Sequence, residues 1–467
     1  MRSVNNIAKY LVLTSILITC ILSGGCKKFV NVSPPFNQLP SKVVFTNDAT
    51  ASATVNGIYS EMINNSSQFT SGFTTLYSGL AADELYYYSS STRDEFLNNQ
   101  ITLVNHSNLT SWFWSPAYKY IYTANLCIEE LNKSVNVSAS LKNTLTGECK
   151  FLRAFCYFHL VNLFGDVPLE ITSNYQINAT LPRTPVATVY QQIIADLKDA
   201  QNLLSNTYPT SERVRVNKLA AASLLARVYL YNKEWVNAES QATSVIGSGI
   251  YSLEANLNNV FLKASNEAIW QLRTISSSIN TVEGNLILPA SSTSTPTFLL
   301  TNTLLNAFEA GDQRKIAWVT SRIFPFPTGT SLYYPYKYKI YGNNAPLTEY
   351  YVVLRLAEQY LIRAEARAQQ NNIVGSQADL NIIRNRSGLG NTFASTQTAL
   401  LSAIEQERRV ELFAEWGNRW YDLKRTNRAD AILGALKPIT WQSTDTLFPI
   451  PQDQIDLNQA LLQNPGY

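Results

Sequence analysis

Three kinds of side chain in this sequence could do chemistry: thiols, paired carboxylates and clustered aromatic rings. Cys20 and Cys26 close an apolar N-terminal run, whereas Cys127, Cys149 and Cys156 lie in the body of the chain. Cys149 and Cys156 are seven residues apart in a helical stretch, about 10 Å along its axis, too far for a disulfide. All three read as small buried apolar residues. His106 and His159 stand apart from any cysteine pair at zinc-ligand spacing, so neither metal nor cofactor is expected. Glu405, Glu407, Glu411 and Glu415 recur along one helix among arginines. That is an ion-paired or solvated face, not an acid and a base flanking a glycosidic bond at about 5–5.5 or 6.5–9.5 Å. His159 sits in an apolar helix, and the chain has no Gly-x-Ser-x-Gly elbow to carry Ser/His/Asp catalysis. The expectation is binding without catalysis.

The rings point to what is bound. With 26 Tyr and 8 Trp but only 15% charged residues, the polar surface must be built from Asn, Ser, Thr and Gln. Rings that stack on sugar faces and amides that bond hydroxyls suit a neutral, hydroxyl-rich ligand. A net charge of +3 without a basic stripe argues against nucleic acid as a partner. Three stretches cluster rings beside flexible polar residues. ADELYYYSSSTRDE carries Tyr86, Tyr87 and Tyr88; NLTSWFW carries Trp112, Phe113 and Trp114; SLYYPYKYKIY carries Tyr333, Tyr334 and Tyr336 among its five tyrosines. Trp114 opens a helix and belongs to the core, leaving Trp112 as the more exposed indole. Within 333–341, alternate tyrosines also fit the inward face of a strand. Asp83, Arg93, Asn105 and Asn108 are the nearest hydrogen-bonding groups.

The elements that must position these residues begin after a leader. Arg2 and Lys9 precede an apolar run from Tyr10 to Leu22 that is too short to span a bilayer and ends in small residues. Residues 1–25 therefore read as a secretory signal peptide. Leu-Ser-Gly-Gly-Cys at 22–26 resembles the bacterial lipoprotein box, which implies that Cys26 becomes a lipidated N-terminus. Several acyl chains, at about 0.8 kcal/mol per buried methylene, hold a protein firmly on a bilayer. Residues 26–42, with three prolines, read as the lipidated tether, and 43–467 as a single domain.

Within that domain, NKLAAASLLARVYLYNKEWVNAESQATSVIGSG at 217–249 is a helix–turn–helix unit of tetratricopeptide type. Leu224, Ala226 and Tyr229 answer Ala238, Ala242 and Val245. Residues 354–386 repeat the design, with Leu361 and Ala364 answering Ala378 and Ile382. Further pairs are expected at 144–164 with 186–204, and at 48–64 with 116–131. A mainly α scaffold of about four stacked pairs follows, because a lone pair cannot cover its own apolar face. It is packed against an irregular, loop-rich half with a few short strands, built from insertions 66–113 and 250–348 and including EAIWQLR as a strand. Gly165-Asp-Val-Pro reads as a left-handed helix stop.

Several stretches carry a family resemblance: FLRAFCYFHLVNLFGDVPL at 151–169, FEAGDQRKIAW at 308–318, LRLAEQYLIRAEA at 354–366, ERRVELFAEWGNRWYDLKR at 407–425 and LFPIPQDQIDLNQALLQNPGY to the end. In this order, behind a lipobox, they resemble the SusD/RagB outer-membrane lipoproteins of the Bacteroidota. The resemblance implies a non-enzymatic, surface-exposed protein, anchored in the outer membrane, that captures a glycan and delivers it to a SusC-like TonB-dependent transporter. Peptides or another nutrient are the alternative cargo. The motif residues themselves, among them Arg153, Asp312, Arg314, Arg408, Glu411, Arg419 and Asp422, read as ion pairs that tie the helical half to its neighbours. No residue of the aromatic stretches matches a family-wide binding motif.

Overall fold

The structure is a computed structural model that describes residues 44–64, 67–275, 279–325, 328–342 and 345–467. The signal peptide, Cys26 and the tether lie outside these residues. Among the described residues, no helix is long and apolar enough to cross a membrane.

The fold is mainly α-helical, as expected. Helix α1 (Asp48–Asn64) starts where Asn47 Oδ1 accepts the Thr50 N–H at 3.0 Å. α2 (Phe73–Ala81) is buried along its whole length, which is why residues 66–113, expected to be irregular, show no helical period in sequence. Its hydroxyls turn inward instead: Thr74 Oγ1 donates to the Phe69 carbonyl at 3.0 Å, and Thr75 bonds the Tyr351 hydroxyl at 3.1 Å. α3 (Leu103–Leu109) runs through a turn of π-helix at Thr110–Trp114 into α4 (Ser115–Lys133).

The scaffold continues through α5 (Ala139–Phe164), α6 (Val186–Leu203), α7 (Lys218–Tyr231), α8 (Trp235–Ile246), α9 (Leu356–Gln369), α10 (Ile373–Arg386) and α11 (Gln397–Glu411), each helix from α4 onward packing on the next as far as α10. α11 closes the row against α9 and α10. Asn217 caps α7 by accepting the Ala220 N–H at 2.8 Å, and small residues bring α8 close: Ala238, Ala242 and Val245 are buried as expected. Two expected contacts differ. α4 packs more extensively on α5 than on α1, so 48–64 and 116–131 are not a self-contained pair. In α10 the buried face is Ser376, Leu380 and Ile383, whereas Ala378 and Ile382 are exposed. Asp379 sets this phase, because Arg363 and Arg367 of α9 hold its carboxylate at 2.6 and 2.9 Å. α5 stops at Gly165 with φ +75° and ψ −129°, a positive φ outside the left-handed helical region expected; a Cβ there would meet Leu447 at 2.9 Å. Cys127, Cys149 and Cys156 are free and buried.

Strands in the second half come as two-stranded antiparallel pairs: β1 (Leu85–Tyr87) with β3 (Phe298–Leu300), β2 (Ala268–Leu272) with β6 (Tyr351–Arg355), and β4 (Val319–Phe324) with β5 (Thr330–Pro335). β2 and β6 are fully buried, and Trp270 of β2 meets Phe151 and Phe155 of α5 edge-on at 5.0 and 5.1 Å. The expected strand EAIWQLR is β2.

An ion-pair network joins the halves. Arg314 donates to Asp312 at 2.8 Å, Glu407 at 2.6 Å and Glu411 at 3.0 Å. Arg355, at the end of β6, donates to Glu411 at 2.6 Å, to Glu267 at 2.9 Å and to Glu415 at 2.8 Å. Arg386 of α10 reaches Glu267 at 2.8 Å and also bonds Glu411. Burial pushes the Glu411 carboxyl up, but the charges of Arg386, Arg355 and Arg314 outweigh it and hold it well below the usual range. Removing one partner of a buried pair leaves uncompensated charge. Glu411→Ala takes one carboxylate from Arg314, Arg355 and Arg386 at once and leaves the cluster with an excess of buried positive charge, so urea denaturation should show a loss of about 3–5 kcal/mol.

Candidate functional site

The three aromatic stretches meet different fates. At the π-helical turn, Phe113 and Trp114 are buried and Trp112 is half-buried. Such turns are frequent at functional sites. The Trp112 ring lies 4.6 Å from Tyr77 and 5.0 Å from Phe73, the latter edge-on, so it is less exposed than its sequence context suggests. Its neighbour Asn108 donates to Asn105 at 2.7 Å, and buried Asn105 donates to the Thr92 carbonyl at 2.9 Å, which ties α3 to the loop after β1.

Tyr86 and Tyr87 pair with Leu299 and Phe298 across the β1–β3 ladder, and the Tyr88 N–H continues it to Thr297 at 3.0 Å. Tyr87 meets Phe298 edge-on at 5.3 Å and carries the Arg93 guanidinium over its ring at 4.7 Å. Arg93 also faces the Tyr77 phenol, which burial, opposed by that charge, pushes up to about 12. Tyr88 is 41% exposed and meets Phe324 of β4 edge-on at 5.8 Å. Two runs of rings result, Trp112 and Tyr77 leading by way of Arg93 to Tyr87, and Tyr88 with Phe324, and together they make an aromatic wall about β1. Phe298 and Phe324 were not singled out in the sequence, because single Phe residues in separate loops carry no pattern until the β1–β3 ladder and the β4–β5 hairpin bring them to Tyr87 and Tyr88.

Of the hairpin tyrosines, Tyr333 is 39% exposed and stands opposite Ser321 on the outward face, Tyr334 is buried on the inner face, and Tyr336 is half-buried under Lys339. Tyr334 is therefore not available to a ligand. Neither is Asp83. It is buried, with Arg419 at 2.8 Å and Arg409 at 2.7 Å, and although burial pushes its carboxyl up, these partners hold it below the usual range. The strand expected across 333–341 ends at Pro335, where the Tyr336 N–H turns to the Trp318 carbonyl at 2.8 Å.

Two buried carboxyls lie beside these elements, Glu84 just before β1 and Glu283 against Thr75 of α2. Glu84, next to Asp83, is pushed up to about 8 by burial and by the Asp83 charge; Glu283 is pushed up to about 8 by burial. Glu405, Glu407, Glu411 and Glu415 are each engaged by arginine. A separate cavity of about 440 Å³ in the helical half, lined by Trp235, Glu365, Leu401 and Arg408, shares no residue with the aromatic wall.

A helical-repeat scaffold whose loops present rings at the surface defines a ligand-binding protein. Residues 28–230 match the family model described as "Starch-binding associating with outer membrane", and residues 319–467 match that described as "SusD family". The chain belongs to the SusD family. SusD-like protein P2 of Formosa agariphila is 28% identical, over 93% of this chain and 95% of its own length. The starch-binding protein SusD of Bacteroides thetaiotaomicron is 24% identical, over 77% of this chain and 81% of its own length. A solved laminarin-binding SusD-like protein superposes with a TM-score of 0.74 at 26% identity, covering 90% of this chain and 100% of that one.

Glu84 and Glu283 give the site a pH signature. Folded, they keep protons that the unfolded chain releases near the ordinary glutamate value of 4.5, so their contribution to stability is complete below about 4.5 and is lost as pH rises through about 8. The Glu84→Gln, Glu283→Gln double variant escapes that loss. Its stability relative to the unsubstituted protein should rise between about pH 5 and pH 8, by up to roughly 1.4 kcal/mol per pH unit for each group, in denaturation curves taken across that range.

Proposed function

We propose that this chain is a surface-exposed outer-membrane lipoprotein that captures a polysaccharide or oligosaccharide on the aromatic wall and passes it to a SusC-like TonB-dependent transporter. The observation that supports the reading is the clustering of rings about β1, Trp112 and Tyr77 toward Tyr87 and Tyr88 with Phe324, open to solvent at Tyr88, in a family member similar to a laminarin-binding structure. Stacking needs a flat apolar sugar face against a ring, and Asn108 and the Ser89–Ser91 run supply neighbouring hydrogen bonds. Tyr86, Tyr87, Tyr88, Trp112 and Tyr333 are the proposed ligand residues; Tyr336 stands at the edge.

Capture proceeds without cleavage. Ion pairing of the carboxylates on and after α11 to arginine supports this, since none is left as an acid–base pair beside the rings. The anchor is Cys26, in the lipobox-like Leu-Ser-Gly-Gly-Cys.

Tyr88 contributes one exposed ring, so Tyr88→Ala should weaken glycan retention in affinity gels by about 1–3 kcal/mol, roughly five- to 150-fold, and leave the melting temperature nearly unchanged. Trp112→Ala should reduce both, because that ring also packs on Tyr77 and Phe73. Unchanged retention in both variants would rule this wall out. Cys26→Ser should move the protein from the membrane fraction to the soluble fraction, and pull-down of the native chain should bring a TonB-dependent barrel with it. A soluble native pool with an unmodified Cys26 thiol would refute the anchor.

A further inference from the structure

The aromatic wall is bordered by arginines that no carboxylate answers. Elsewhere in the fold arginine is routinely ion-paired, as Arg314, Arg355 and Arg408 are. Arg183 and Arg213 lack carboxylate partners but spend their donors on several backbone carbonyls each. Arg93 does neither. It lies over Tyr87, reaches the Tyr87 hydroxyl only at 3.4 Å and faces the Tyr77 phenol, while its Nε is buried without a partner. The acids beside it are turned away: Asp94 accepts the Ser91 N–H at 3.1 Å, and Glu95 accepts the Thr102 N–H at 2.8 Å.

Arg322 is the second such cation. It stands on β4 two residues from Phe324, on the same strand face, and spends Nη1 on the Ser291 and Ser294 carbonyls. Among the described residues neither Arg93 nor Arg322 has a carboxylate partner. Around Arg322, residues 284–308 and 319–348 contain no Asp or Glu. Asp83 is neutralised by Arg409 and Arg419. Two guanidinium groups beside the wall are thus without a carboxylate partner, although the chain as a whole is nearly neutral.

We infer that the captured glycan is acidic, its sugars carrying carboxylate or sulfate groups, with Arg93 as the residue that reads the acid group and Arg322, beside Phe324, as a second cation. This rests on the capture reading above. A guanidinium with unspent donors offers an anion charge-assisted, paired hydrogen bonds, whereas a neutral hydroxyl returns much less for the same desolvation. The stack with Tyr87 holds the planar fork in place before ligand arrives. The neutral ligand suggested by composition gives way here, because overall charge averages over ion pairs that never reach this face.

The test uses the mature full-length chain in affinity gels and titration calorimetry. The probes are polygalacturonate, a sulfated galactan, the carboxyl-reduced and desulfated forms of each, and a neutral β-glucan. The expected result is retention by at least one acidic polymer, lost when its acid groups are removed and weakened between about 50 and 500 mM salt. Which polymer binds decides between carboxylate and sulfate. Arg93→Gln should cut that affinity about tenfold or more, with Arg93→Lys recovering part of it. Salt dependence in the unsubstituted protein gives an answer even if a variant folds poorly. A neutral glucan bound as tightly as the acidic polymers, with Arg93→Gln silent, overturns the acidic ligand and leaves glycan capture standing. Failure of every polymer overturns both.

Discussion

Glu411 sits where three guanidinium groups arrive from separate parts of the chain: Arg314 from the segment before β4, Arg355 from the end of β6 and Arg386 from the end of α10. Each of these charges is costly to bury, and the cost is offset only when all are in place with their hydrogen bonds made. Apolar packing alone would let the loop half slide over the helices. A buried carboxylate whose partners lie on three elements admits one arrangement. Glu407 and Glu415 extend the constraint along the same stretch of chain, and Lys337, bonded to Glu415, carries it to the residues just beyond β5.

That constraint explains how pairs of short strands can hold a binding face. A two-stranded sheet is marginal by itself. Here β2 and β6 lie wholly within the core, and β1 is held from below by Asp83, whose carboxylate is fixed by Arg409 of α11 and by Arg419 of α12 (Asn418–Arg425). The tyrosines that follow Asp83 and Glu84 then alternate along β1, Tyr87 packing on Phe298 and Tyr88 reaching solvent. The rigid charged underside and the aromatic upper side are two faces of one segment, 83–88.

The motifs that carry the family resemblance belong to the underside. FEAGDQRKIAW contributes Asp312 and Arg314, LRLAEQYLIRAEA contributes Arg355 and Glu358, and ERRVELFAEWGNRWYDLKR contributes Glu407, Arg408, Glu411, Glu415, Arg419 and Asp422. These are bonds that hold the halves together. The rings of the wall come from loops outside those motifs. This division fits relatives at 24–28% identity that align along most of this chain, and a TM-score of 0.74 to a solved structure. It also means that family membership says little about the ligand of any one member.

Helix positions were legible in the sequence because repeating small and apolar residues at helical spacing need only local geometry to be read. The pairs at 217–249 and 354–386 are of this kind, while the strand at 268–272 shows as a short run of apolar residues. Where a helix is buried on every side, as 73–81 is, the period vanishes and with it the signal. The phase of α10 was misread because a charged residue, Asp379, faces inward to arginines on another helix, which no pattern within its own segment announces. The rings were likewise visible as clusters, but their exposure was not: Tyr334 and Asp83 are buried, Trp112 is wedged against Tyr77, and Phe324 joins the wall from more than two hundred residues away. Side-chain type and spacing determine what a segment is able to do. Which groups remain free to do it depends on the partners that distant segments bring, and those only the folded chain selects.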